Sequence, residues 1–558
     1  MLRFTSMLLV FGASILVIWP ISANAQDRAR IDSLVRHYQQ ADAPGISLAV
    51  SIDGRVVFER WTGQADIARR APIDGDTRFE IASVSKQFTA FAIMMLVSEG
   101  KIALDDNVRT WIPELEPGTV SVTIRHLLNH TGGLREVTSL LQLTGQWESS
   151  PVTQQRALDL ILRQRGGNFP AGQREEYSNT GYQLLAEIVT RVSGQPFPEF
   201  LRNRIFQPLG MDDTMVRTAA DQVIHDLATS YEPNGDGFAR ANLLAANYGS
   251  TGIVSTPRDL LRWAQVFETG EIGGPAVISA MAARSQLADA RRAIAANGQE
   301  YRNFRGLDTW SHGGTTGGFR SFLLRIPEAR MAIAVMGNRS DFLKAAFAFD
   351  IAEAFLVGRM EPVPAASFVP ETAAELDRYV GDYSLFAGIV FSLRRNGDQL
   401  TFATFGKDDA SPLPQLAKGI FLLNPKRGIR IEFHDFSGGR ATEMRWQISQ
   451  DGFIPAPRVA MQPVPRTPLN VGELEGAYFN DALQQVVRLF AIDGALWLRT
   501  GDGNRIPLNR YQHDLFNAEG PGSVQRVAIS RDGKKAVAGI VVSAPMAENL
   551  EYRKIDHD

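Results

Sequence analysis

Ser83, Ser85 and Lys86 stand in the stretch FEIASVSKQFTAFAIMMLV, at the head of a segment from Phe88 to Val97 that is apolar at nearly every position. Such a segment predicts a helix covered on most sides. Residues three apart at a helix start share a face, so the Ser83 hydroxyl and the Lys86 amine come within reach of each other. An ammonium held in an apolar pocket has its charged form disfavoured, and its pKa falls until it can take or share a proton near neutral pH. That is one way of activating a serine as a nucleophile. The same spacing recurs at Ser98 and Lys101. Gly100 ends the helix there, so that pair straddles a terminus and does not share a face.

The elements that must position this pair follow a suggestive order. GISLAVSIDGRVVFERWTG (45–63) predicts a hairpin turned at Asp53-Gly54. Far downstream RNFRGLDTWSHGG, FRSFLLRIP and RMAIAVMGN (302–338) read as three further strands, followed by a helix over about 342–357. The intervening chain is mainly helical. An antiparallel sheet assembled from both ends of the unit, with a helical region inserted, is the economical arrangement, and a cleft at the seam is the natural site.

Two proline-rich stretches, 360–377 and 453–470, read as extended linkers, the second holding five prolines. They divide the chain into a large unit over 26–357 and two small ones over 372–455 and 471–558. The small units resemble each other: Gly381-x-Tyr383 matches Gly476-x-Tyr478, and NGDQLTF at Asn396 matches IDGALWL at Ile492. Each predicts a small antiparallel β-barrel or sandwich.

Composition excludes several classes of function. The 558 residues contain no cysteine and carry a formal charge of −3, with no long basic run. Disulfides, thiolate chemistry and cysteine metal sites are therefore ruled out, and nucleic acid is disfavoured as a partner. At the N-terminus Arg3, an apolar stretch from Met7 to Trp19 and Ala23-Asn24-Ala25 form a secretory signal pattern. Residues 1–25 are expected to be removed after Ala25, leaving a periplasmic or secreted protein with no stable membrane span. His126 and His130 flank an apolar turn without acidic residues at metal spacing, and are read as packing or hydrogen-bonding groups. No metal or other cofactor is expected.

SVSK opening an apolar helix, Tyr177-Ser178-Asn179 and His312-Gly313-Gly314 occur here in an order that resembles the penicillin-recognising serine hydrolases. That family includes class C β-lactamases, D-alanyl-D-alanine carboxypeptidases, esterases and D-aminopeptidases. IRHLLNHTGGL, IFQPLGMDDT and GSTGIVSTPRDLLRW strengthen the likeness, which spans nearly the whole first unit. Other matches are decoys: Tyr301-Arg302-Asn303, Tyr478-Phe479-Asn480 and His130-Thr131-Gly132 fall in the wrong order or element.

The resemblance implies a β-lactamase-like α/β domain in which Ser83 forms an acyl-enzyme. Lys86 and Tyr177 would be its base pair, with the phenol's pKa lowered by the ammonium, and Asn179 would hold Lys86 or substrate. The backbone N–H groups of Ser83 and Thr315 would form the oxyanion hole, with Gly313 and Gly314 admitting the substrate backbone. Position 312 departs from the β-lactamases, which place lysine there; histidine anchors a free carboxylate less firmly. That variant and the two appended β units resemble the three-domain D-aminopeptidase. The resemblance implies a peptidase or amidase acting on short peptides with D- or unusual residues. A carboxylesterase, a weak β-lactamase and a silent peptide binder are the alternatives. A loop of the small units, taken as 408–419, is expected to narrow the cleft.

Overall fold

The computed structural model describes residues 25–558 except 117–121, 146–150, 242–244, 285, 288–291, 363–370, 387–388, 405–408, 425–428, 448–452, 461–468, 502, 519–523 and 556–558. The expected export signal, save its last residue Ala25, lies outside the described residues. Among them, no helix is long and apolar enough to cross a membrane.

A seven-stranded antiparallel sheet is the platform of the first unit. Strands β1 (Ile46–Ile52) and β2 (Arg55–Thr62) come from its N-terminal end. From the other end come β3 (Ala295–Ala296), β4 (Gln299–Phe304), β5 (Leu307–Thr316), β6 (Phe319–Ile326) and β7 (Met331–Gly337), and the order across the sheet is β3-β4-β5-β6-β7-β1-β2. The joint is the β1–β7 ladder, from Ile46 opposite Gly337 to Ile52 opposite Met331. Both strands are buried along their whole length, and their near-continuous apolar sequences are what a strand covered on two faces requires. Helices α1 (Ala25–Arg36) and α5 (Lys344–Phe355) cover one face, packing Ile31, Val35, Phe347 and Ile351 with Leu48, Val50 and Val335. On the other face Ala49, Leu323 and Met336 meet the core of the helical insertion. Helix α2 (Lys86–Ser98) runs through that core, with every residue from Lys86 to Leu96 buried.

RNFRGLDTWSHGG is two strands rather than one. It folds at Arg305 and Gly306, whose φ angles of 51° and 86° are those of a two-residue hairpin turn with left-handed residues at both positions. Arginine in place of the usual Asn or Asp conceals the turn.

The small units share their local design. A short helix (Ala373–Leu376; Val471–Leu474) precedes the first strand of each. Buried Tyr383 donates to the carbonyl of Tyr379, and buried Tyr478 to that of Leu474, each four residues upstream. The last unit is a closed eight-stranded barrel. Its neighbour is a nine-stranded antiparallel sheet whose outermost strands, Ser411–Leu413 and Gln415–Ala417, are joined by Pro414 alone. The sheet therefore curls back on itself into a nearly closed barrel. The boundary at 455 needs correction, because Phe453–Val459 is a strand of this sheet. Pro455 and Pro457 are tolerated because that stretch pairs with Arg440–Gln447 on one side, while its ladder to Gly381–Phe386 reaches only Arg458 and Val459.

Asn338, fully buried just past β7, ties the catalytic unit together. Its Oδ1 accepts from Gly45 N at 2.8 Å, and its Nδ2 donates to the carbonyls of Gln64 and Thr229, both at 2.9 Å. Asn338→Ala strands these buried groups, each worth about 1–3 kcal/mol. The expected result is a lower midpoint in denaturant unfolding of the full chain.

Candidate active site

Ser83 lies in a single 3-10 turn, Ala82–Ser85, that runs directly into α2. Ala82 there has φ 47°, a left-handed conformation that is strained for a residue with a Cβ and characteristic of functional turns. Lys86, the first residue of α2, has no exposed surface. Its Nζ is 2.6 Å from Asn179 Oδ1, 2.8 Å from the Ser250 carbonyl and 3.2 Å from Ser83 Oγ. Burial pulls its pKa down to about 7, against the upward pull of the Glu136 carboxylate. In the neutral form two N–H bonds satisfy Asn179 and Ser250, and the lone pair is left for the Ser83 hydroxyl.

Tyr177 Oη donates to Ser83 Oγ at 2.7 Å. Burial raises its pKa well above the ordinary phenol value. The expected phenolate is therefore corrected: desolvation exceeds any help from Lys86, which is itself poised to be uncharged. His130, read from sequence as a decoy, positions this tyrosine. Its Nδ1 accepts from Ser178 N at 3.0 Å, and its ring centroid lies 4.7 Å from that of Tyr177.

Asn179 opens helix α4 (Asn179–Ser193) and is gripped by Glu136, which precedes α3 (Val137–Leu143). Glu136 accepts from Asn179 N at 2.6 Å and Asn179 Nδ2 at 2.7 Å, and caps α3 through Thr138 N at 3.2 Å. Loop 249–252 completes the lysine pocket. Thr89 Oγ1 donates to the Gly249 carbonyl at 2.7 Å, while buried Glu80 accepts from Gly252 N at 2.8 Å. Ser85 is structural, its Oγ accepting from Ile253 N at 3.3 Å.

Strand β5 brings His312, Gly313, Gly314 and Thr315 to the same place. A Cβ on Gly314 would fall 2.1 Å from the Ile81 carbonyl oxygen and 2.2 Å from Ser321 Oγ. Only glycine lets the strand pass this close to the turn that carries Ser83, the approach that an oxyanion hole from the Ser83 and Thr315 amides requires. His312 is buried and neutral; burial lowers its pKa to about 4 in spite of the nearby Glu300 carboxylate. Its Nδ1 donates to the Gly313 carbonyl at 2.8 Å, which leaves Nε2 as an acceptor. Lys344, unmarked in the sequence, starts α5 and reaches the Gly314 carbonyl at 2.5 Å and the Thr315 hydroxyl. Burial lowers its pKa to about 8.

A cleft of about 660 Å³ opens beside Tyr177 and His312. Its walls include Glu300 of the first unit, Leu385 and Phe453–Pro455 of the second, and Arg526 and Glu548 of the third. Residues 409–419 are not among them, which corrects the expected loop. The hairpin at 545–549 of the last barrel docks directly on the segment that carries Glu136. Met546 O accepts from Glu136 N and Asn168 Nδ2, both at 2.8 Å. The Arg135 guanidinium holds Glu548 O at 2.8 Å and Asn549 O at 3.0 Å, and Ser139 Oγ donates to Pro545 O at 2.5 Å. Among the described residues no cluster of side chains has the makings of a metal site.

Two predictions follow from these contacts. If Lys86 must be neutral to accept the serine proton, kcat/KM falls as pH drops through about 7. Glu136→Gln removes the charge that holds this pKa up, so the limb moves to lower pH, and the disrupted Asn179 contact costs roughly tenfold or more in kcat/KM; a pH–rate profile checks both. Arg135→Ala frees the hairpin from a buried guanidinium. It should slow Ser83 labelling by a fluorophosphonate and lower stability by about 1.5–3 kcal/mol, the worth of hydrogen bonds to a charged group, measured by calorimetry.

Residues 31–354 match the family described as Beta-lactamase. Over 552 residues, 95% of this chain and 99% of the relative, the sequence is 26% identical to a D-aminopeptidase of Brucella anthropi. It is 26% identical over 421 residues to penicillin-binding protein 4* of Bacillus subtilis (strain 168), covering 72% of this chain and 91% of that protein. The solved structure of D-amino acid amidase from Ochrobactrum anthropi SV3 complexed with D-phenylalanine matches with a TM-score of 0.52 at 26% identity, over 60% of this chain and 100% of that one. The octameric penicillin-binding protein homologue from Pyrococcus abyssi shares the fold, with a TM-score of 0.54 at 23% identity over 77% of this chain and 99% of that one. With its hydrogen-bonded serine, lysine and tyrosine and a family match over more than half its length, the chain belongs to the beta-lactamase family and is a serine hydrolase.

Proposed function

We propose that the protein is an exported peptidase or amidase that cleaves short peptides or amides containing D-residues. The observation that carries this reading is the cleft walled by all three units, in a chain aligned over nearly its whole length with a D-aminopeptidase. Such enclosure suits a short substrate. The pattern at Met7–Trp19 and Ala23–Ala25 supports export.

The chemistry follows from the contacts. Ser83 Oγ attacks the substrate carbonyl carbon while its proton passes to the neutral amine of Lys86. The tetrahedral oxyanion is met by the Ser83 and Thr315 N–H groups, each worth about 3–4 kcal/mol. Collapse breaks the C–N bond, and the departing amine takes a proton from the Tyr177 hydroxyl, which the Lys86 ammonium formed in the first step replaces. Water then attacks the acyl-enzyme carbonyl carbon while its proton passes to the neutral amine of Lys86, and as the ester C–O bond breaks Lys86 returns that proton to Ser83 Oγ. Acylation and deacylation each begin with Tyr177 protonated and Lys86 neutral, which is the state that burial favours.

The decisive assay compares the full chain with Ser83→Ala on enantiomeric pairs of short peptide amides and on matched short acyl esters. The expected outcome is cleavage of D-residue amides above their L-counterparts, with a covalent mass adduct at Ser83 and no turnover in the variant. Turnover of esters alone would replace this reading with a carboxylesterase. No adduct from a fluorophosphonate would replace it with a silent binder.

A further inference from the structure

Glu300, Arg302 and Phe304 alternate along β4 and therefore project from one face of it. Glu300 and Arg302, ion-paired at 2.7 Å, line the catalytic cleft. The same two residues also line a second cavity of about 190 Å³, so the two spaces meet at this ion pair. Behind it the walls are mostly apolar: Phe304, Phe322, Phe349, Ala345, Ala346 and Ile429, with Asn303 as the remaining polar residue of the lining. The rings form a preset box, with the centroid of Phe349 at 4.7 Å from Phe304 and 6.0 Å from Phe322. All three phenylalanines are largely buried, and the two alanines on α5 leave the room.

A cavity of about 150 Å³ lined by Leu, Ile and Phe stays dry and takes up a benzene ring. This one is somewhat larger, and its polar lining is the Glu300–Arg302 pair together with Asn303, whose Nδ2 donates to Asp308 at 3.3 Å. It suits a side chain whose backbone remains outside, in the cleft. Strand order says which residue would deliver that side chain. The β4–β5 ladder stops at Glu300 opposite Ser311, so among the described residues no strand pairs with His312–Thr316 on that side. A peptide laid antiparallel along this edge continues the line of β4. Its chain runs toward Glu300, which places the leaving-group side of the scissile bond at the mouth of the second cavity.

We propose that this cavity is a specificity subsite for one large apolar or aromatic side chain, on the leaving-group side of the bond that Ser83 attacks. The inference rests on the peptide-hydrolase reading above. Arg302, at the rim, stacks on an incoming aromatic ring and favours it over an aliphatic one. Ile429 comes from the first small barrel, so that domain takes part in side-chain selection.

The test uses the full chain and pairs of short peptides that differ only in alanine or phenylalanine on the leaving-group side, in both configurations. Two readouts are taken: kcat/KM for cleavage, and the peptide concentration that halves the rate of Ser83 labelling by a fluorophosphonate. The second needs no turnover. Phenylalanine should be preferred by roughly 10–200-fold in protection, the range that apolar pockets reach. Ala346→Phe and Ile429→Phe fill the cavity from opposite walls, and either one should abolish the preference while leaving protection by the alanine peptide unchanged. Peptides that protect with this preference but are not cleaved would overturn the peptidase reading and uphold the subsite. Equal protection by both peptides in the wild type would overturn the subsite, as would a preference unchanged in whichever filled variant retains the wild-type melting temperature.

Discussion

Taking one ammonium out of water is the constraint around which the structure is arranged. A buried lysine loses hydration that no single contact restores, and its charged form is penalised accordingly. Around Lys86 the protein supplies two neutral oxygen acceptors, from Asn179 and Ser250, and one carboxylate at one remove, Glu136. Two acceptors satisfy an amine and leave an ammonium one bond short unless it donates to Ser83. With the carboxylate in direct contact, the ammonium would be locked in its charged form. Held behind Asn179, it lifts the pKa only part of the way, and the group comes to rest near neutrality.

Each acceptor must then be fixed in turn, which explains how far the dependence spreads. Ser250 stands in a loop held by Thr89 from within α2 and by Glu80. Glu136 is fixed by its place before α3 and, through its own N–H, by the carbonyl of Met546 in the last barrel. Met546 and Asn549 both have positive φ, at 54° and 57°. Non-glycine residues hold that conformation when their surroundings over-determine it. The docked hairpin is therefore part of the support for the lysine, and the C-terminal domain is continuous with the catalytic centre.

Much of the centre was legible because it is written in side-chain types at short spacing. Ser83 and Lys86 show through a helical period, and Tyr177, Asn179 and His312 through motifs that resemble the family's in its order. What was not legible acts across long separations or through the backbone. The Met546 carbonyl would be the same from almost any residue, so no side chain announces it. Glu136 is an ordinary helix-capping residue until α4 is seen beside it. Lys344 opens a helix that was expected from its apolar period, but nothing in that period says the first side chain bends under β5. The lowered pKa expected for Lys86 agrees with its burial, whereas the state of Tyr177 differs from the expectation for a related reason. The resemblance places Tyr177 beside Lys86 but does not show that the phenol is buried, and its burial outweighs proximity to the lysine.

Lys344 also accounts for what the site does without a lysine at position 312. A cation on the strand's inner face would lie in the same enclosure as Lys86 and lower its pKa further by repulsion. With neutral His312 there, that face stays uncharged once Lys86 is deprotonated. The cation is applied instead from the α5 side, where the Lys344 ammonium binds the carbonyl of Gly314. That carbonyl and the Thr315 N–H belong to one peptide unit. A peptide whose oxygen accepts from a cation becomes the stronger donor at its nitrogen, because hydrogen bonds in series polarise one another. Positive charge thus reaches the oxyanion position through the backbone, leaving Lys86 free to lose its proton.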